Sequence, residues 1–175
     1  MSDNSKQDAL VELAKNAVEE FVQNHRTAHV PEHADPDLSD TAGVFVCLKR
    51  DGQLRGCIGT IEPTQPNLGA EIVQNAISAA SRDPRFQPIR PQELADLEYS
   101  VDVLQKPEQI YDLRDLDPKV YGVIAESGYK RGLLLPDLEG VDTVEDQVGI
   151  AMQKGGIRPG EPVTLYRFKV IRHGK

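Results

Sequence analysis

The stretch VFVCLKRDGQLRGCIGT, residues 44–60, decides the fold because it predicts a β-hairpin. Two runs of strand-forming residues, Val44–Lys49 and Leu54–Thr60, flank a short polar segment that contains Asp51-Gly52. Asp-Gly supplies the positive φ angles that a two-residue hairpin turn requires. The hairpin is therefore the most clearly predicted β element of the chain.

The hairpin register predicts where the two cysteines lie. Counting outward from the turn pairs Lys49 with Leu54, Cys47 with Gly56 and Val46 with Cys57. In this register the cysteines face opposite sides of the sheet, which excludes a disulfide between them. A disulfide framework is typical of small, secreted, cysteine-dense chains, whereas this chain has two cysteines in 175 residues. We expect both to be free thiols.

Length and charge set the limits on function. A chain of 175 residues fits one domain or two closely joined lobes, and 39% hydrophobic residues suffice for a core. Its 28 acidic and 20 basic residues give a net charge of −8, which disfavours nucleic acid and anionic membranes as partners. No apolar run approaches the ~20 residues of a membrane span, and the N-terminus does not resemble a signal peptide. We expect a cytoplasmic protein.

Helices and further strands alternate along the rest of the chain. Apolar residues recur at helical spacing over residues 10–22, 66–80 and 143–154, and alternate with polar ones over residues 97–103. A second hairpin is predicted over residues 120–135, a short helix at Pro91–Ala95 and a last strand at Val163–Ile171. Hairpins mixed with helices indicate an α+β fold.

A histidine-containing segment precedes the hairpin and is predicted to be a loop, residues 25–42. His25, His29 and His33 lie four residues apart, as metal ligands on a helix would. Pro31 and Pro36 interrupt such a helix, so a solvated loop explains the segment better and we assign no metal site. Phosphate loops, dinucleotide fingerprints, HExxH and paired CxxC motifs are absent from the sequence.

The segment LRGCIGT contains the first candidate site. In a regular strand Arg55 and Cys57 project to one face, where a guanidinium favours the nucleophilic thiolate. Gly56 and Gly59 lack side chains and allow a ligand, or a neighbouring backbone, to approach closely. The alternative explanation is a buried, inert thiol in a glycine-rich strand.

The segment SRDPRF, residues 81–86, contains the second candidate site, where a helix meets a loop. We assign catalytic roles to Cys57, Arg55 and Asp83, with Asp83 orienting an arginine. Arg85 is assigned to bind an anionic substrate group, with Gly56 and Gly59 beside it. Alternatively, Asp83 and the arginines make only structural hydrogen bonds where the helix stops.

These motifs resemble those of the AMMECR-one domain family, also called AmmeMemoRadiSam system protein A. The similarity spans essentially the whole chain, and LRGCIG followed by DPRF is its most specific part. The matching segments are Gly43–Leu48, LRGCIGT at residues 54–60, DPRFQPI at 83–89, ELADLEYSVDVLQKPEQI at 93–110, RGLLLP at 131–136, VDTVEDQVGIAMQKGGI at 141–157 and LYRF at 165–168.

The resemblance implies an α+β fold, with a mixed β-sheet flanked by helices, a smaller second lobe and a cleft between the lobes. Residues 1–175 then form one domain of two closely associated lobes. It also implies association with Memo-type and radical-SAM proteins, but no reaction, cofactor or oligomeric state. Longer relatives have an additional cysteine in the third helix, where this chain has Ala151, Met152 and Gln153.

Three hypotheses follow for the function. In the first, the protein is an enzyme in which Cys57 is the nucleophile, Arg55 lowers the pKa of its thiol and Arg85 holds an anionic small molecule. The second is a binding or adaptor module that works with Memo-type and radical-SAM proteins without turnover. In the third, the glycines and Cys57 of LRGCIGT serve packing alone.

Overall fold

The predicted hairpin is present as β1 (Val44–Arg50) and β2 (Gln53–Gly59). Both turn residues have positive φ, 52° at Asp51 and 75° at Gly52, as Asp-Gly predicts. The computed structural model describes residues 4–31, 38 and 40–174, with side chains from residue 9 onward. The chain divides into two compact units, Met1–Leu104 with Ile171–Lys175, and Gln105–Val170. Helices and two separate four-stranded sheets confirm the α+β class.

The first unit is built on a four-stranded sheet that contains the hairpin and two further strands. Strand β3 (Leu97–Leu104) pairs antiparallel with β1, and the last strand is β8 (Val170–Gly174). Helices α1 (Asn4–Asn24) and α2 (Leu68–Ser81) share one core with the sheet. Alternate residues of β1 are buried in that core because a strand directs every second side chain to the same face: Val44, Val46 and Leu48.

A β-bulge changes the hairpin register, and the predicted positions of the cysteines are wrong. Lys49 pairs with Leu54 as expected, but the register then shifts by one residue, so that Leu48 pairs with Gly56 and Cys47 with Cys57. Arg55 is the extra residue of the bulge. A one-residue shift moves every later side chain of a strand to the other face. Cys47 and Cys57 therefore face each other and form a disulfide instead of two free thiols.

The helical predictions of the first unit are confirmed. Most of the apolar stripe of α1 is buried, and its last two residues are partly buried. Helix α2 begins after Asn67, whose side chain accepts a hydrogen bond from Ala70 N at 2.8 Å. This helix ends before Asp83-Pro84, as expected for a residue that precedes proline. The short predicted helix is a 3-10 helix over Pro91–Asp96.

The second unit has its own four-stranded sheet, in the order Glu108–Ile110 (β4), Thr164–Phe168 (β7), Gly122–Ser127 (β5) and Lys130–Leu134 (β6). The predicted second hairpin is β5 (Gly122–Ser127) and β6 (Lys130–Leu134), and α3 (Val144–Lys154) begins after the capping residue Thr143. The predicted last strand is instead two strands, β7 (Thr164–Phe168) and β8, which belong to different sheets. The three-residue strand β4 (Glu108–Ile110) was not predicted.

The predicted loop contains no helix or strand over residues 25–31, 38 and 40–42, except one 3-10 residue at Leu38. His33 lies outside the described residues. Within the part of the chain that the structure describes, no three metal-ligating side chains lie close enough together to hold an ion. No described helix is both long and apolar enough to cross a membrane.

Candidate functional site

The candidate site is centred on Cys57, which lies in the edge strand of the first sheet. Cys57 is half-buried and lies directly opposite Cys47. Both cysteines are on the face of the sheet opposite to the one that β1 buries in the core. Its backbone N–H donates to Asp83 Oδ2 at 3.0 Å, and Arg85 Nη2 donates to its carbonyl oxygen at 3.3 Å. The backbone of Cys57 is therefore hydrogen-bonded to DPRF, and its side chain is joined to β1 through the disulfide.

Asp83 and Arg85 form one unit that closes this part of the sheet edge. Arg85 donates from its backbone N and from Nε to Asp83 Oδ1, at 3.1 and 3.0 Å, and from Nη2 to Oδ2 at 2.8 Å. The Asp83 side chain is 2% exposed, whereas that of Arg85 is 55% exposed. The hydrogen bond from Arg85 is the main reason that the pKa of Asp83 is lowered to about 2, and the same bond raises the pKa of Arg85. Asp83 is thus a permanent carboxylate at neutral pH.

Arg55 binds Glu93, a residue that the sequence analysis did not select. Arg55 donates from Nε to Oε1 at 3.0 Å and from Nη2 to Oε2 at 3.1 Å, in a bidentate pair. Glu93 also accepts from Arg50 Nη1 at 3.2 Å and from Arg90 N at 2.8 Å. These contacts, the hydrogen bond from Arg55 first, lower the pKa of Glu93. The charge of Arg55 therefore anchors the bulge to the 3-10 helix.

A signal for Glu93 was present in the sequence. It is the third residue of the helix that starts at Pro91, where a carboxylate reaches back to the backbone N–H of the residue before the helix. Its ion-pair partner Arg55, by contrast, lies 38 residues away in the chain. Local spacing therefore predicts the capping contact of Glu93 but not the ion pair.

The two glycines of the motif make close contacts within the first unit. A Cβ at Gly56 would lie 2.3 Å from the carbonyl oxygen of Ala79 in α2, and one at Gly59 would lie 2.2 Å from the ring of Phe45. Phe45 is the cross-strand partner of Gly59. The space in which a side chain would stand is thus occupied by the protein itself, which favours the packing explanation for both glycines.

A buried carboxylate beyond the predicted site orders the chain after β2. Glu71 of α2 accepts from Thr60 Oγ1 at 2.6 Å, from Thr64 N and Oγ1, and from Gln65 N at 2.7 Å. Asn75, one turn later, donates to Val44 O and to Thr60 Oγ1. These bonds satisfy the buried polar atoms of Glu71 and fix the end of β2 against α2.

The chemistry of the site is that of sulfur. In the disulfide form neither cysteine has a thiol, so nucleophilic attack requires reduction of the Cys47–Cys57 bond. After reduction, Cys57 has a half-exposed cation at its backbone in Arg85, while Asp83 balances much of that charge. The structure thus brings together Cys57, Asp83 and Arg85, and directs Arg55 to Glu93.

Comparison with known proteins agrees with this architecture. A family model described as AMMECR1 matches residues 11–173. A Thermotoga maritima protein is 50% identical over 166 residues, which cover 93% of this chain and 95% of that protein. A Clostridium acetobutylicum protein is 44% identical over 98% of this chain, but the match is 37% of that protein's length. The crystal structure of an uncharacterised Pyrococcus horikoshii protein has a TM-score of 0.90 at 32% identity, with 97% of this chain and 91% of the other covered.

Proposed function

The chain belongs to the AMMECR1 family, and from its site we propose that it is a cytoplasmic enzyme that uses the Cys57 thiolate on a small anionic molecule. One observation carries this proposal. Cys57 is a half-buried residue of the edge strand, and its carbonyl oxygen accepts a hydrogen bond from a partly exposed arginine, Arg85. A cation near a thiol favours the thiolate and attracts an anionic reactant.

Each remaining residue of the site has a defined part in this function. Asp83 accepts hydrogen bonds from the backbone N–H of Cys57 and from two guanidinium nitrogens of Arg85. It therefore fixes the position of the Arg85 guanidinium relative to Cys57. Arg55 acts through Glu93, which keeps the bulge before Cys57 in place. Asp83 and Arg55 are thus positioning residues, whereas Cys57 reacts and Arg85 contacts the substrate.

Alkylation of the reduced protein tests this function. Iodoacetate is anionic and iodoacetamide is neutral, so the ratio of their rates at Cys57 reports on the local charge. We expect Arg85→Gln to lower this ratio about three-fold, the order of magnitude expected when one nearby unit charge is lost in water. Arg82→Gln removes the same charge from an exposed position near the site and should leave the ratio unchanged. The pKa of the Cys57 thiol should lie below the usual ~8.5.

Two results of this experiment would refute the enzyme function. The first is a Cys57 that neither reagent modifies after full reduction. The second is a thiol with an ordinary pKa and a rate ratio that Arg85→Gln does not change. Far-UV circular dichroism of the variants, together with their melting curves, separates a loss of charge from a loss of structure.

A binding module is the second candidate, and one comparison favours it. The chain matches only 37% of the Clostridium acetobutylicum relative, so the same domain is joined to further sequence there. In this function the domain docks Memo-type and radical-SAM proteins without turnover. Cys57→Ser should then leave complex formation intact. A substrate whose turnover is lost in Cys57→Ser would contradict the purely binding function.

A further inference from the structure

We propose that the substrates of this site are small anionic disulfides, with Cys57 as the attacking cysteine and Cys47 as the resolving cysteine. This inference rests on the proposed function, because it needs a reactive Cys57. It adds the class of substrate and a role for Cys47, to which the sequence analysis gave none.

The arrangement of the two strands carries the inference. Cys47 and Cys57 are direct cross-strand partners, and their sulfurs are bonded to each other. The bulge at Arg55 creates this pairing, since the regular register places the cysteines on opposite faces. Both strands are held by neighbours that do not involve sulfur: β1 pairs with β3, and Asp83 binds the backbone of Cys57. The two sulfurs should therefore stay adjacent when the bond between them is reduced.

Exposure of the pair fits exchange with a small molecule. Both cysteines are half-buried, whereas the alternate positions of β1 are fully buried against the helices. Structural disulfides of secreted proteins resist reduction by small thiols, while exposed ones are the labile or catalytic ones. Because neither cysteine belongs to the buried core, the Cys47–Cys57 bond is closer to the second kind.

The two cysteines differ in position, which assigns their order of reaction. Cys57 is in the edge strand β2, and Arg85 binds its carbonyl oxygen. Cys47 is in an inner strand, flanked by Cys57 on one side and Ser100 of β3 on the other. An anionic disulfide thus meets Cys57 at the edge, next to the partly exposed cation.

The reaction is a two-step exchange in which atoms and electrons balance. The Cys57 thiolate attacks one sulfur of a disulfide RS–SR, a Cys57–SR bond forms, and RS⁻ leaves. The Cys47 thiolate then attacks the sulfur of Cys57, the Cys47–Cys57 bond forms, and the second RS⁻ leaves. Two cysteine thiols are oxidised, one small disulfide is reduced to two thiols, and the two thiol protons pass to the released thiolates. An excess of small thiol drives the same steps in reverse.

Glutathione disulfide, which is anionic, is the probe for the first experiment. The reduced full-length chain is mixed with it, quenched with acid and measured by intact-protein mass spectrometry. The wild type should end as the internal disulfide without bound glutathione. Cys47→Ser should stop at one glutathione on Cys57. Its reaction should be faster than that of Cys57→Ser, because Arg85 lies at the backbone of Cys57 and a nearby cation favours the thiolate.

The charge dependence is measured with a neutral disulfide, hydroxyethyl disulfide, in parallel. The preference for glutathione disulfide should fall about three-fold in Arg85→Gln and stay unchanged in Arg82→Gln. A wild type that keeps glutathione bound, or equal rates for the two cysteine variants, would overturn the assigned roles. A Cys57 that is alkylated with the Arg85-dependent charge preference but does not exchange with disulfides would refute this inference and leave the proposed function standing. A Cys57 inert to both kinds of reagent would refute both.

Discussion

Replacing Asp83 by Asn should destabilise the protein by an amount that depends on pH. The pKa of Asp83 is lowered from 3.8 to about 2 by its bonds to Arg85 and to the backbone of Cys57. At ~1.4 kcal/mol for each pKa unit, this shift corresponds to about 2 kcal/mol of stability above pH 5. Arg85 is 55% exposed, so water screens part of the attraction and we expect about 1–2 kcal/mol.

The sign of the pH dependence follows from the direction of the shift. A carboxyl with a lower pKa in the folded state stabilises the fold above the unfolded pKa of 3.8, and this stabilisation disappears as the pH falls through about 2. Asparagine has no charge to lose. The difference in free energy of unfolding between the wild type and Asp83→Asn should thus narrow by about 1 kcal/mol between pH 6 and pH 3.

Urea unfolding followed by far-UV circular dichroism measures this difference, and the chain contains a matched control. Asp112-Leu113-Arg114 repeats the Asp83-Pro84-Arg85 pattern, with Arg114 donating from its backbone N, Nε and Nη2 to Asp112. Both side chains of the Asp112 pair are exposed, 45% and 90%. Asp112→Asn should therefore change stability far less than Asp83→Asn. Two results would refute the role assigned to Asp83. One is an equal loss of unfolding free energy in the two variants, and the other is a difference between wild type and Asp83→Asn that does not change with pH.

Two further perturbations test the packing and the disulfide of the same region. Gly56→Ala puts a methyl group 2.3 Å from the carbonyl oxygen of Ala79, so we expect a loss of ~1–3 kcal/mol in urea unfolding. Gly149→Ala, in an open helical position, should be neutral or stabilising, and a similar loss in both variants would contradict the packing argument. Reduction of Cys47–Cys57, which are 10 residues apart, should lower the free energy of unfolding by up to about 3 kcal/mol. An unchanged urea midpoint after complete reduction would contradict that estimate.

Local patterns predicted the elements of this fold, because those elements depend on short-range chemistry. Asp51-Gly52 has the positive φ angles that its turn needs, and Thr143 caps α3 where expected. The division of the last strand at Lys169 was not predictable in the same way. Its two halves belong to different sheets, and the strand-forming pattern of residues 163–171 carries no information about which neighbouring strands each half will pair with.

The observed hairpin register could have been predicted from the apolar pattern of the two strands. Counting from the turn assumes a regular ladder and puts Cys57 on the core face of β2. The apolar pattern favours the other register, because Ile58 then joins Val46 and Leu48 in the core, as it does in the structure. Giving burial priority over turn counting would have placed a bulge between the turn and Gly56 and brought the cysteines together.

The polar site was predictable by residue but not by role. Asp83 and Arg85 contact Cys57 across 26 and 28 residues of chain, and Arg55 reaches Glu93 across 38. Sequence spacing carries no information about contacts between residues this far apart in the chain. It therefore predicted that Arg55 acts on the Cys57 thiol, whereas the Arg55 guanidinium binds Glu93. Two arginines near a cysteine suggest a strongly cationic site only until their carboxylate partners are known.

Charge pairing limits how strongly this site attracts an anion. Arg55 is paired with Glu93 and Arg85 with Asp83, so the first carries little net field and the second acts through its exposed part. The whole chain carries −8 and repels anions at long range. An anionic substrate should therefore be held weakly, with a preference of a few-fold over a neutral analogue rather than a hundred-fold. This is why a ratio of rates between charged and neutral reagents, with Arg82→Gln as the control, is a sharper test of the site than a binding constant.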